Sequence, residues 1–323
     1  MQTKPKEPVL HKGFVDIIEY HTTTLRGREV ELMPTDRFVP GRNKGKKTQT
    51  YGDYAVVLRR TWTQQRDISV LVRVELEIQS EELCKVFKNI AVHSYEDSNL
   101  VSFPIKLRSP FSELFFYRDK IKEFAEDENN GQKIRQEAKE LYDFTQKNGL
   151  MRGINEDYER YSKEGRVVND ILWTIYPPNS LIVVNVGTVR ECWICRNVIT
   201  KYNEMTGRYY WEVTGFRIGF DGSSPGLTRQ TSSIPATGMQ LMKITDLPLI
   251  PVEYFQDWES LKATLIRRSI KLQSILGQDF TSFKAQNYTG PAWVQDEEDL
   301  RRGRRQWVRT NQVIPNIVHL AAP

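Results

Sequence analysis

Hydrophobic and polar positions alternate most regularly between Asp67 and Ile78. Ile68, Val70, Val72, Val74, Leu76 and Ile78 recur at every second position, which predicts a strand with all of these side chains on one face. The same period runs through Tyr54 to Trp62. Phe14 to Thr35 alternates more loosely around Gly27 and predicts two short strands joined near Arg26-Gly27. Pro34, Pro40, Gly41 and Gly45 then mark a basic loop. After Ile78, Ser80 followed by Glu81, Glu82 and Leu83 predicts a short helix, its free N–H groups capped by the serine and its positive end favoured by the acids.

The period changes in the middle of the chain. Ser109-Pro110 predicts a helix start, with serine as cap and proline at the first helical position, and Leu114, Phe115, Ile121 and Phe124 supply an apolar side. Asn129-Asn130-Gly131 should break this helix. Ile134, Ala138, Leu141, Tyr142 and Thr145 then resume helical spacing, and Asn148-Gly149 ends it. Ile171 to Tyr176 is apolar around Trp173, and Pro177 and Pro178, which have no N–H, stop it. Leu181 to Val184 reads as a strand buried on both faces, Gly187-Thr188 as a tight hairpin, and Val189 to Tyr202 as the return strand. Thr206-Gly207 is the next turn, before a third strand over Tyr209 to Gly219. Asp257 caps a last helix, in which Trp258, Leu261, Leu265, Leu272 and Leu276 form one apolar stripe opposite Arg267, Arg268 and Lys271, with Gly277 as the stop.

These elements predict an α+β fold. A strand-rich N-terminal region spans residues 1–109 and a helical segment 110–165. A β-rich domain over 166–292 holds an antiparallel sheet or partly closed barrel with a packing helix, and 293–323 is a charged tail expected to be flexible. The length of 323 residues and 11% aromatic content fit a folded globular chain. The charge of +5, from 46 basic against 41 acidic residues, is too small to mark an obligate nucleic-acid binder. Cys84, Cys192 and Cys195 make an odd count without scaffold spacing, which favours a reducing compartment. Met1 to Leu10 has no apolar core and no run is long enough to span a bilayer, so an intracellular chain, cytoplasmic or nuclear, without membrane contact is expected.

Local patterns that resemble chemistry weigh less than their bland readings. Gly41 to Thr48 has glycines and Lys44, Lys46 and Lys47 like a phosphate loop, but three residues separate the glycines instead of four and no buried strand delivers it. Ser224 sits in a Gly-x-Ser-x-Gly pattern, yet Pro225 has no N–H for an oxyanion hole, so a turn is expected. Cys192 and Cys195 form a lone CxxC, and in a regular strand a spacing of three sends them to opposite faces; only a β-bulge would bring them together. The four histidines, His11, His21, His93 and His319, show no metal-ligand spacing. Arg301, Arg302, Arg304 and Arg305, with Trp307 and Trp293 nearby, would suit phosphate pairing and base stacking, against the reading of a solvated tail neutralised by Asp296 to Asp299.

Leu172-Trp173-Thr174, Pro177-Pro178, the following hairpin, the Gly219-Phe220-Asp221-Gly222 turn and the Leu265-Ile266-Arg267-Arg268 helix ending at Gly277 carry a resemblance. Together with the aromatic helix start Phe111 to Arg118, they resemble the uncharacterised domain that precedes the ATPase module in a group of filamentous-fungal AAA+ ATPases, over roughly Pro110 to Trp293. The resemblance implies a substrate-side binding or positioning role and assigns no activity. The chain lacks a Walker A loop and a Walker B strand, so ATP hydrolysis, a cofactor and catalysis are not expected of it. A stand-alone copy, a truncated product and a displaced gene boundary would all give such a chain.

Two function classes follow. The first is a non-catalytic protein-binding or adaptor domain, its partner a protein and in one version an AAA+ relative met in trans. The alternative is a nucleic-acid-associated protein using loop 41–48 and arginines 301–305, whose affinity would fall steeply with salt.

Overall fold

In the computed structural model of the chain, the described residues are 12–24, 27–37, 51–66, 68–91, 100, 102–186, 189–220, 225–236, 238, 240–276, 290–294 and 306–310. They divide into two compact units, residues 1–160 and 161–323. The fold is mixed α+β with open sheets, so the sheet alternative holds and the partly closed barrel does not.

The first unit is built on β1 (Lys12–Thr24), β2 (Gly27–Pro34), β3 (Tyr54–Gln65) and β4 (Ile68–Ile78), followed by α1 (Glu81–Ile90) and β5 (Ile105–Arg108). The sheet order is β2-β1-β3-β4-β5, with β1 and β3 parallel and every other pair antiparallel. Val56, Leu58, Leu76, Ile78, Ile105 and Leu107 share one face and are fully buried. That face packs against α3 (Gln132–Lys147), where Phe14 and Phe111 both meet the Phe144 ring. Ser80 caps α1 as expected, accepting from the Leu83 N–H at 3.3 Å. The same hydroxyl donates to the buried Glu137 carboxylate of α3 at 2.5 Å and ties α1 to α3.

The regular alternation over Ile68 to Ile78 does not put all six apolar residues on one face. Thr61 pairs with Arg73 and Trp62 with Leu71, so Val72 is an extra residue in a β-bulge. A bulge inserts one position and reverses the phase of everything beyond it. Leu76 and Ile78 are in the core, whereas Ile68 and Val72 are exposed.

The helix predicted to begin at Ser109-Pro110 begins later, as α2 (Ser112–Glu126). Phe111 occupies a left-handed conformation, φ 60° and ψ 46°, and its N–H returns to the Arg108 carbonyl. Complete burial of its ring offsets the cost of that backbone, and the helix can start only after it. α2 and α3 are separated at 127–131 as expected. Asn148 ends α3, but it also starts α4 (Gly149–Ser162), accepting from the Leu150 N–H. Sequence reading missed α4, which buries only Met151 and Asn155 and so shows no wide apolar stripe.

The second unit begins with β6 (Arg166–Val168) and a 3-10 segment over Asn169–Ile175, then β7 (Leu181–Val186), β8 (Val189–Asn203), β9 (Arg208–Phe220) and β10 (Pro225–Pro235). β11 (Leu241–Lys243) pairs with β6, and β12 (Leu249–Pro251) joins the main sheet, whose order is β10-β9-β8-β7-β12 and wholly antiparallel. Val186 pairs with Val189; Gly187 and Thr188, read as a tight hairpin, lie outside the described residues. Ile182, Trp193, Val213, Trp211 and Leu249 line one buried face, and Leu172, Trp173 and Tyr176 are buried with them. The turn after Pro177-Pro178 clips onto β8: the Asn179 N–H donates to the Cys195 carbonyl and the Cys195 N–H to the Ser180 carbonyl, both at 2.8 Å.

Tyr176 is fully buried and donates its hydroxyl to the Leu249 carbonyl at 2.6 Å, with burial holding its phenol well above the ordinary tyrosine range and therefore protonated. Tyr176→Phe is expected to destabilise the chain by about 1–3 kcal/mol, because that bond is lost from a dry site. Urea unfolding measures it, and an unchanged midpoint would remove the hydroxyl from the account.

α5 (Trp258–Leu276) follows β12. Its predicted stripe is only partly realised: Leu261 is buried and Trp258 and Leu265 are half-buried, while Ile266 and Ile270 face solvent. The side chains of Leu272 and Leu276 lie outside the described residues, as does Gly277. β13 (Gly290–Val294) and β14 (Gln306–Thr310) pair antiparallel, with Trp293 and Trp307 opposite in register. No described helix is long and apolar enough to cross a membrane.

Candidate functional site

The β8–β9 hairpin outruns the core that holds its base. Val198, Val213 and Trp211 are buried, but two residues further Tyr202 and Tyr209 are 52% and 60% exposed, with ring centroids 4.9 Å apart. The tip is fixed by Asn203, whose side-chain oxygen accepts from Met205 N–H at 3.0 Å and Thr206 N–H at 3.2 Å. Gly207 takes φ +65° and returns its N–H to the Asn203 carbonyl, so glycine is required for the turn. Met205 at the apex is 97% exposed. Between this tip and β10 lies an open groove lined by Asn169, Thr200, Tyr209, Trp211, Ser232 and Ser233. Trp211 at its base donates its indole N–H to Asn169 at 3.3 Å.

The cations of the sheet are unevenly matched. Lys201 pairs with Glu212 at 2.8 Å, and this hydrogen bond raises the Lys201 ammonium above its ordinary range against the opposing effects of burial and of Arg229. Arg208 and Arg229 are exposed and have no ion pair among the described residues.

A second polar constellation lies on the first sheet, on the face opposite the helices. Arg59 holds Glu77 through two nitrogens at 3.1 and 3.0 Å and reaches Glu19 with a third at 2.9 Å. Lys106 adds to Glu77 at 3.3 Å, while Arg73 and Arg108 both hold Glu75 at 3.1 Å. His21 meets Glu19 at 2.5 Å. Glu75 and Glu77 are only 3% exposed, so each is a buried carboxylate shared by two cations. Every acid is occupied by arginine or lysine, which makes the ladder a structural device. Among the described residues no group of histidine, cysteine and acid could hold a metal.

Several sequence candidates lie outside the described residues: Lys44, Lys46 and Lys47, Arg301, Arg302, Arg304 and Arg305, Ser224, and His11, His93 and His319. Trp307 is placed by its backbone on β14. Pro225 and Gly226, read as part of a turn, are paired with Phe220 and Gly219 as the first residues of β10. The CxxC does contain a nearby bulge, but it falls at Arg196, after Cys195. Cys192 and Cys195 therefore stay on opposite faces. Burial pushes their thiols up to about 11 and about 12, so neither carries much thiolate near neutrality.

A protein-family profile described as Domain of unknown function (DUF7025) matches residues 157–256. The match spans the second sheet with its groove and β10. No curated protein and no solved structure matches the chain.

Proposed function

We propose that the chain is a non-catalytic protein-binding or adaptor module that works through the second sheet. The observation that carries this reading is the solvent-exposed Tyr202–Tyr209 pair with Met205, standing beside a hydroxyl-lined groove. Tyrosine, methionine and arginine are enriched at interface centres, and tyrosine buries much area at little entropic cost. An open groove without a buried acid–base or nucleophile–base pair suits recognition better than catalysis. The likeness to the domain ahead of the motor in fungal AAA+ ATPases fits this role. In that version the module is intracellular and presents or positions a protein for an AAA+ relative acting in trans.

The test is affinity capture of the tagged full chain from a native extract, with and without nuclease, beside a Tyr202→Ala, Tyr209→Ala double variant. Protein partners that resist nuclease and are lost from the variant are the expected result. Loss of every partner on nuclease treatment would replace this reading with nucleic-acid association.

A further inference from the structure

We infer that the outer edge of β10 is a docking strand for an extended segment of a partner protein, one that carries an acidic and an apolar residue two positions apart. This rests on the adaptor reading and specifies its ligand. An unpaired strand edge presents a row of free N–H and C=O groups, and proteins blunt such edges with short strands, charges or proline. The described edges of the two sheets differ in this respect. β5 and β12 are four and three residues long, and β12 ends in Pro251. β2 is longer but carries Arg28, Glu29 and Glu31 along its length. β10 has eleven residues with prolines only at its ends and Arg229 as its one charge, and no described strand pairs with its outer side. It is the least protected long edge of the described sheets.

The register says what side chains an added strand would meet. Leu227 lies opposite Ile218, the two being 65% and 69% exposed, and Arg229 lies on the same face two positions along β10. Side chains of an added strand alternate with the same period, so residues two apart meet Leu227 and Arg229 together. An apolar side chain covers the first and a carboxylate pairs the second. The other face offers Thr228, Gln230 and Ser232, which accept polar neighbours. A second copy of this chain fits less well, since two-fold pairing centred on Gln230 sets Arg229 close to its own equivalent across the strands.

The experiment uses the full chain and labelled ten-residue peptides alternating threonine and valine. One carries glutamate two positions from an isoleucine, a second carries lysine in place of the glutamate, and a third has glutamate and isoleucine adjacent so that they fall on opposite faces. The first should bind about fivefold tighter than either of the others, the scale of one cross-strand pair. Arg229→Glu should reverse the glutamate–lysine preference. Thr231→Pro removes an outward N–H, because the Ala236 N–H bonds to β9 and the odd-numbered residues of β10 turn the other way. With its fold checked by circular dichroism, it should weaken all three. Equal affinities for the three peptides, or an unchanged preference in Arg229→Glu, would overturn the inference. So would dimerisation in sedimentation that Thr231→Pro abolishes, which would seat a second copy on the edge. If nuclease-resistant partners bind Arg229→Glu and Thr231→Pro as well as wild type but are lost from the tyrosine double variant, this inference fails while the adaptor reading stands.

Discussion

Arg59→Met is expected to lower the free energy of unfolding by about 3 kcal/mol at neutral pH, because it removes the guanidinium that holds two partly or wholly buried carboxylates together and leaves Glu77 to Lys106 and Glu19 to His21. Burial pushes both Glu19 and Glu77 up, but the bonds and charges outweigh it: those of Arg59, with His21 at Glu19 and with Lys106 and Gln79 at Glu77. Both carboxyls therefore titrate below the ordinary glutamate range. A group lowered in this way binds fewer protons folded than unfolded. Its contribution is complete above the unfolded value of about 4.3 and is lost as the pH falls through the folded value. In the variant burial is opposed only by His21 at Glu19 and by Lys106 and Gln79 at Glu77, so both groups are lowered less and the folded state loses less as they protonate. The gap between wild type and variant should therefore narrow from pH 7 towards pH 3. Urea midpoints across that range measure it, and a gap that does not change with pH would show that Arg59 acts through packing alone.

Gly215→Val is expected to cost about 3 kcal/mol, at the upper end of what overpacking usually costs. A Cβ at this position would stand 2.9 Å from the Ile194 carbonyl oxygen and 3.3 Å from the Trp193 Cβ, and the nearer atom is backbone that cannot turn aside. Gly215 lies opposite Cys195, directly before the bulge at Arg196. Alanine should cost less but in the same direction. Gly226→Ala is the control, because nothing lies within 4 Å of its Cβ position. Thermal unfolding of the three variants separates the effects; equal midpoints for Gly215→Val and Gly226→Ala would mean that the strands part without penalty.

β1 to β4 and β7 to β9 were legible as strands, because alternating or β-branched apolar runs report extended chain, although Ile17 with Ile18, Val56 with Val57 and Ile182 with Val183 bury both faces; the Ser80 cap follows its own local chemistry. What escaped reading depends on pairing. The extra residue at Val72 looks like any other valine until Arg73 and Leu71 are matched to Thr61 and Trp62. β10, with Thr-Arg-Gln-Thr-Ser-Ser at its centre, has almost no apolar pattern and is held in place by β9. Glu75 and Glu77 did leave a signal, since acids alternate with Val74, Leu76 and Ile78 while Lys106 and Arg108 alternate with Ile105 and Leu107. Reading it required knowing that these strands are neighbours. The candidate site fared worse. Basic residues stand out by composition, whereas Tyr202 and Tyr209 acquire meaning only from projecting past the buried Val198–Val213 pair.

The brevity of β12 bears on stoichiometry. A sheet that could be lengthened at both margins would let molecules join head to tail without limit, each margin meeting the opposite margin of the next. Three residues ending in Pro251 give the second sheet no such second margin. With strand docking on β10 as proposed, assembly through this sheet is expected to stop at one event per chain and to give discrete complexes instead of fibres.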